Sequence, residues 1–69
     1  MTTDVRRAVA NAIEEELRRG GRDTPWLSDR EGIARAALRR KLAGEADFTV
    51  ADLADIAQAL DISVARLTP

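Results

Sequence analysis

Apolar residues fall into successive groups along this chain, and within each group they recur at three- and four-residue spacing, the period of a helix that buries one face. Val5, Ala8, Val9, Ala12, Ile13 and Leu17 make the first group and predict a helix over residues 4–19, with Thr3 or Asp4 as its cap. Arg18 and Arg19 sit in its last turn, where cations complement the helix dipole, and Gly20 with Gly21 ends it. Thr24 followed by Pro25 reads as a cap and a first helical residue, because proline lacks an N–H that would be unsatisfied there. A short second helix is expected over residues 25–30, closed by a turn at Gly32. Ile33, Ala37, Leu38 and Leu42 then repeat up to Gly44, which predicts a third helix over residues 34–43. After a loop over residues 45–48, Thr49 and Asp52 form a capping-box pattern ahead of Val50, Leu53, Ile56, Ala57 and Leu60, the fourth helix. Ser63 can cap one further turn, in which Val64 and Leu67 close against the core. No strand-like alternation, repeat or low-complexity linker interrupts the series. The expected fold is all-α, a compact bundle of five short helices forming a single domain over residues 1–69.

A chain of 69 residues is close to the lower size at which one hydrophobic core holds without staples. Cysteine, histidine and tyrosine are all absent. Disulfides and thiolate metal sites are therefore excluded, and the usual nucleophile and base pairs are missing, so no catalytic residue, metal or cofactor is expected. A carboxylate enzyme would also need a deep pocket that so small a helical chain can scarcely build. The chain has no apolar run of the roughly 20 residues that a membrane span needs, and its first residues lack the order of a signal peptide. A cytoplasmic protein with no small-molecule substrate is the expectation.

The net charge of −1 conceals a strong asymmetry. Residues 1–17 set Arg6 and Arg7 against Asp4, Glu14, Glu15 and Glu16, and the last third sets Arg66 against Glu45, Asp47, Asp52, Asp55 and Asp61. Between them, residues 18–41 carry Arg18, Arg19, Arg22, Arg30, Arg35, Arg39, Arg40 and Lys41 against only Asp23, Asp29 and Glu31. Such a separation creates one face attractive to a polyanion. If Ala34, Ala37, Leu38 and Leu42 pack inward, Arg35, Ala36, Arg39, Arg40 and Ala43 form the opposite face of the third helix. An arginine fork can bond bidentate to guanine O6 and N7, while the small Ala36 allows close approach or touches a thymine methyl. Arg35 is best placed to enter a groove, and Arg39 and Arg40 can meet a base or a phosphate. Lys41, with a stem that packs and an ammonium that reaches out, is expected at a phosphate.

Leu27, Ser28, Gly32, Ile33, Leu38, Leu42, Gly44, Phe48, Leu53, Ile56, Ala57, Ala59, Leu60, Val64 and Leu67, with a twelve-residue interval between Gly32 and Gly44, carry a family likeness. The chain resembles the lambda repressor-like, XRE and Cro type, helix-turn-helix domains over about residues 22–68. That resemblance implies a five-helix bundle that binds double-stranded operator DNA, commonly as a homodimer, with the second and third helices forming the helix-turn-helix. It implies base-facing roles for Arg35, Ala36 and Arg40, with Arg39 beside them, and phosphate contacts from Thr24 and the adjacent Arg22. Val64 and Leu67 are the candidate dimer contacts. Four positions depart from the pattern. Ser28 replaces a common alanine, Ala34 a common serine or threonine cap, Ala43 an asparagine that often holds phosphate, and Asp61 a glycine.

The function expected is that of a sequence-specific DNA-binding transcriptional regulator of the small phage or bacterial Cro or immunity-repressor kind. A protein-interaction module, antitoxin-like or an antirepressor, is the alternative, motivated by Glu14, Glu15 and Glu16 and the acidic last third. Trp26 reads either as a core residue or as an aromatic platform, and Asp52 and Asp55 as helix surface.

Overall fold

Four α-helices arise where the apolar periods put them. The computed structural model describes residues 3–68. It contains α1 (Thr3–Arg19), α2 (Thr24–Glu31), α3 (Arg35–Leu42) and α4 (Val50–Leu60), followed by a 3₁₀ turn at Val64–Arg66. Among the described residues there is no strand. The fifth helix expected from the sequence is this single turn: Ser63 Oγ accepts from the Ala65 N–H, and the Leu67 N–H returns to the Val64 carbonyl in the i to i+3 pattern of a 3₁₀ turn.

Local chemistry sets each boundary. Thr3 and Asp4 both lie inside α1, so its cap falls outside the described residues. Asp23, not Thr24, caps α2, accepting from the Trp26 N–H at 2.9 Å. An aspartate outranks threonine as a cap and adds negative charge to the positive helix end, which moves Pro25 one place inward. Gly32 closes α2 at φ 67°, a left-handed conformation that glycine takes without steric penalty. The buried Ser28 hydroxyl donates to the Ile33 carbonyl, so the serine that replaces the expected alanine is a staple across this turn. At α4 the capping box is complete, with Asp52 N–H on Thr49 Oγ1 at 3.0 Å and Thr49 N–H on Asp52 Oδ2 at 2.9 Å.

The core is a contiguous cluster in which Val9, Ile13, Leu27, Leu38, Ile56 and Leu67 are almost fully enclosed, with Ala10, Leu17, Phe48, Leu53 and Ala57 around them. Ala10 occupies the core-facing sector of α1 and Ala8 is exposed. At about 100° per residue, Ala10 lies only about 20° past the edge of the arc spanned by Val9, Ile13 and Leu17, whereas Ala8 lies about 100° past its other edge. Val64 is 41 % exposed and so does not close on the core as its spacing suggested, although Leu67 does. Val50, at the first turn of α4 and the edge of its apolar arc, is 84 % exposed. Helix α3 packs against α1 and α2, and α2 packs against α4. Since Leu38 is the one fully buried residue of α3, that helix lies on the outside of the bundle.

Candidate nucleic-acid interface

Helix α3 begins without a side-chain cap, as the alanine at position 34 implied, and is held at its start by the Leu38 N–H on the Ala34 carbonyl at 3.0 Å. Arg39, Arg40 and Lys41 occupy its last turn, where three cations complement the negative end of the helix dipole. Leu38 is buried and Leu42 half-buried, and every one of Arg35, Ala36, Ala37, Arg39 and Arg40 is exposed. Ala34 and Ala37 were expected to pack inward and do not. Leu38 and Leu42 fill the contact sector, Ala37 lies about 100° from Leu38, and a methyl group gains little from burial. The same geometry points Arg40 nearly opposite the buried sector and places Arg35 and Arg39 on one flank of it, with Lys41 on the other.

The ion pairs divide the basic segment into spent and free charge. Arg18 and Arg19 both reach Glu15, at 2.5 and 3.4 Å. Arg22 and Arg30 flank the half-buried Trp26 ring, with guanidinium carbons 4.7 and 5.8 Å from its centroid, so Trp26 serves both as core filler and as a cation platform. Arg35 stands 3.5 Å from Asp29, both side chains well exposed, a pairing of little energetic weight. Lys41 turns inward: its ammonium lies 2.6 Å from Asp52 Oδ2, each side chain about 20 % exposed, and 5.9 Å from the Phe48 ring centroid. The ammonium expected to reach outward to a phosphate is instead directed at a carboxylate eleven residues on, which the α4 capping box also holds. The guanidinium groups of Arg39 and Arg40, like that of Arg7, make no ion pair or hydrogen bond among the described residues.

Two shallow clefts border this helix. One, of about 380 Å³, brings Arg35 and Arg39 together with Thr24 and Pro25 at the start of α2 and with Glu14 of α1. The other, of about 340 Å³, joins Arg39 and Arg40 to Ala36, Ala43 and Glu45. Arg22 lies farther round, in a third depression shared with Thr24 and Arg18. The fold thus gathers Thr24, Arg35 and Arg39 in one cleft, adds Ala36 and Arg40 on the adjoining face, and leaves Lys41 and Leu67 out. Leu67 is enclosed in this chain's own core, and Val64 alone of the two dimer candidates is exposed.

The acidic residues also separate by role. Glu15 serves Arg18 and Arg19, while Glu16, with a side chain 11 % exposed, binds Arg66 Nε at 2.9 Å and ties α1 to the 3₁₀ turn. Arg6 pairs with Asp47, and this hydrogen bond holds the Asp47 carboxyl below its ordinary value. Burial alone would raise the Asp52 carboxyl, but Lys41 and the Thr49 N–H outweigh it and hold it low. Burial, and then Asp55, pushes the Glu31 carboxyl up against the opposing influence of Arg30. Nothing in the spacing of Glu14 and Glu45 along the sequence reveals that they edge the α3 clefts.

Among the described residues, no group of three or more candidate ligands could hold a metal ion. No described helix is long and apolar enough to cross a membrane. No family model, curated protein or solved structure matches this chain.

Proposed function

We propose that this chain is a sequence-specific DNA-binding transcriptional regulator of the small Cro or immunity-repressor kind. In this reading α2, the Gly32 turn and α3 act as a helix-turn-helix, and α3 enters the major groove. The observation that carries it is the exposed face of α3, where Arg39 and Arg40 stand without acidic partners beside Arg35 and the small Ala36. A helix so furnished offers guanidinium forks to base edges over a backbone that can approach closely. Thr24 shares its cleft with Arg35 and Arg39, a suitable neighbour for a DNA phosphate, and Arg22 extends the cationic border. Roles at bases are assigned to Arg35, Ala36, Arg39 and Arg40, and roles at phosphates to Thr24 and Arg22. The resemblance to lambda repressor-like domains points the same way. So small a module gains useful affinity by binding a two-fold site as a homodimer in the cytoplasm, with Val64 as the exposed candidate contact.

The test is fluorescence anisotropy with a labelled duplex at rising salt. Affinity falls steeply because phosphate contacts release counterions, and the Arg22→Ala variant shows a log–log slope shallower by about 1, the phosphate contact removed. Affinity that stays flat from low to physiological salt contradicts the reading. The exposure of Val50 favours a second reading, a protein-interaction module built on the same helices. A folded protein that prefers no duplex would favour it.

A further inference from the structure

The free guanidinium groups of α3 are bordered on both sides by carboxylates. Glu14 projects from α1 into the cleft of Arg35, Arg39 and Thr24, and Glu45 lies in the cleft of Arg39 and Arg40. Arg39 belongs to both clefts. Each glutamate is exposed, and neither side chain has an ion pair or hydrogen bond among the described residues, in contrast to Glu15 and Glu16 on the same helix as Glu14. Their role is thus not accounted for by the ties that hold the bundle together.

We propose that Glu14 and Glu45 form an acidic fence that lowers the affinity of the α3 face for any polyanion. A phosphate drawn into either cleft by arginine approaches a carboxylate that is held in no ion pair. Like charges at about 6 Å in a water-like medium alter affinity about threefold for each pair. The fence leaves the arginines free to hydrogen-bond while weakening purely electrostatic retention, so a ligand must supply further contacts to stay bound. In the setting of the proposed function, which this inference builds on, those contacts are base edges. The fence itself requires only a polyanion.

The experiment therefore has two arms, run with Glu14→Gln, Glu45→Gln and Asp55→Asn, the last removing the same charge from α4, away from either cleft. Circular dichroism first checks that all are folded. On immobilised heparin, Glu14→Gln and Glu45→Gln elute at higher salt than the parent and than Asp55→Asn. With a random-sequence duplex at low salt, each binds about threefold tighter than the parent, an advantage that fades as salt screens the pair. Equal shifts for all three variants reduce the effect to net charge and overturn the fence, as does no shift for the two glutamates. The heparin arm is independent of the DNA reading: a protein that prefers no DNA sequence refutes that reading, while the heparin shifts still decide the fence.

Discussion

Lys41 Nζ lies 2.6 Å from Asp52 Oδ2, and this ion pair joins the last turn of α3 to the capping box of α4. The same carboxylate accepts from the Thr49 N–H, so one side chain serves both a helix start and the seating of the arginine-bearing helix. Removing the ammonium leaves Asp52 with one partner in a largely covered position. Lys41→Met is expected to cost about 1.5 to 3 kcal/mol in urea unfolding, the range of a hydrogen bond to a charged group. It should leave the salt slope of duplex binding unchanged. A slope reduced by about 1 would return Lys41 to the phosphate role that its sequence position suggested.

Arg35 and Arg40 should differ in what their loss does. Arg35→Ala is expected to cost about 1 to 3 kcal/mol on a preferred duplex and little on random DNA, since its exposed pairing with Asp29 is readily exchanged for a base. Arg40, which points directly away from the core, should behave likewise, whereas Arg22→Ala should weaken all sequences alike. Competition binding with preferred and random duplexes measures the difference. Equal losses on both duplexes for Arg35→Ala would remove it from base reading.

Two carboxylates give pH dependences of opposite sign. Asp52 titrates below its ordinary value in the folded chain, so its contribution to stability is complete above about pH 4 and is lost as pH falls through the lower folded value. Glu31 titrates above its ordinary value, so its ionisation costs stability at neutral pH, and its position at the end of α2 faces the negative end of the dipole. Glu31→Gln should therefore be more stable than the parent at neutral pH and indistinguishable from it near about pH 3, where both are neutral. Asp52→Asn should be less stable at neutral pH, with the gap narrowing in acid. Thermal melts across this range check both, and offsets that do not change with pH would contradict the assignment.

Asp61 ends α4 with φ 55° and ψ 47°, the one non-glycine residue with positive φ among the described residues. A side chain there is strained, and its negative charge opposes the helix dipole. Asp61→Gly is expected to stabilise the chain by about 1 kcal/mol, a rise in Tm of roughly 4 to 8 °C for a domain of this size. Calorimetry reads the change directly.

Helix existence was legible because Gly32, the Thr49 and Asp52 box and the leucine spacing are local signals, each acting within a few residues. The side-chain partners were not. In α3 an eight-residue helix leaves two turns of pattern, and alanines 34, 36, 37 and 43 carry almost no preference for inside or outside. Asp23 displaced Thr24 as a cap by a margin too small for adjacent residues of similar capping strength to reveal. Lys41 looked free because its partner belongs to another helix, and Glu14 looked like one of three equivalent solvated acids until α1 was packed beside α3. The exposed arginines at 35, 39 and 40 did follow from the sequence, since two leucines four residues apart determine the buried sector of so short a helix.

Selection of bound duplexes from a random pool, read by sequencing and repeated with the Arg39→Ala and Arg40→Ala double variant, tests the central claim most directly. The account predicts an enriched two-fold symmetric consensus for the parent and loss of that consensus for the variant, with both proteins folded. A folded parent that enriches no sequence would contradict it.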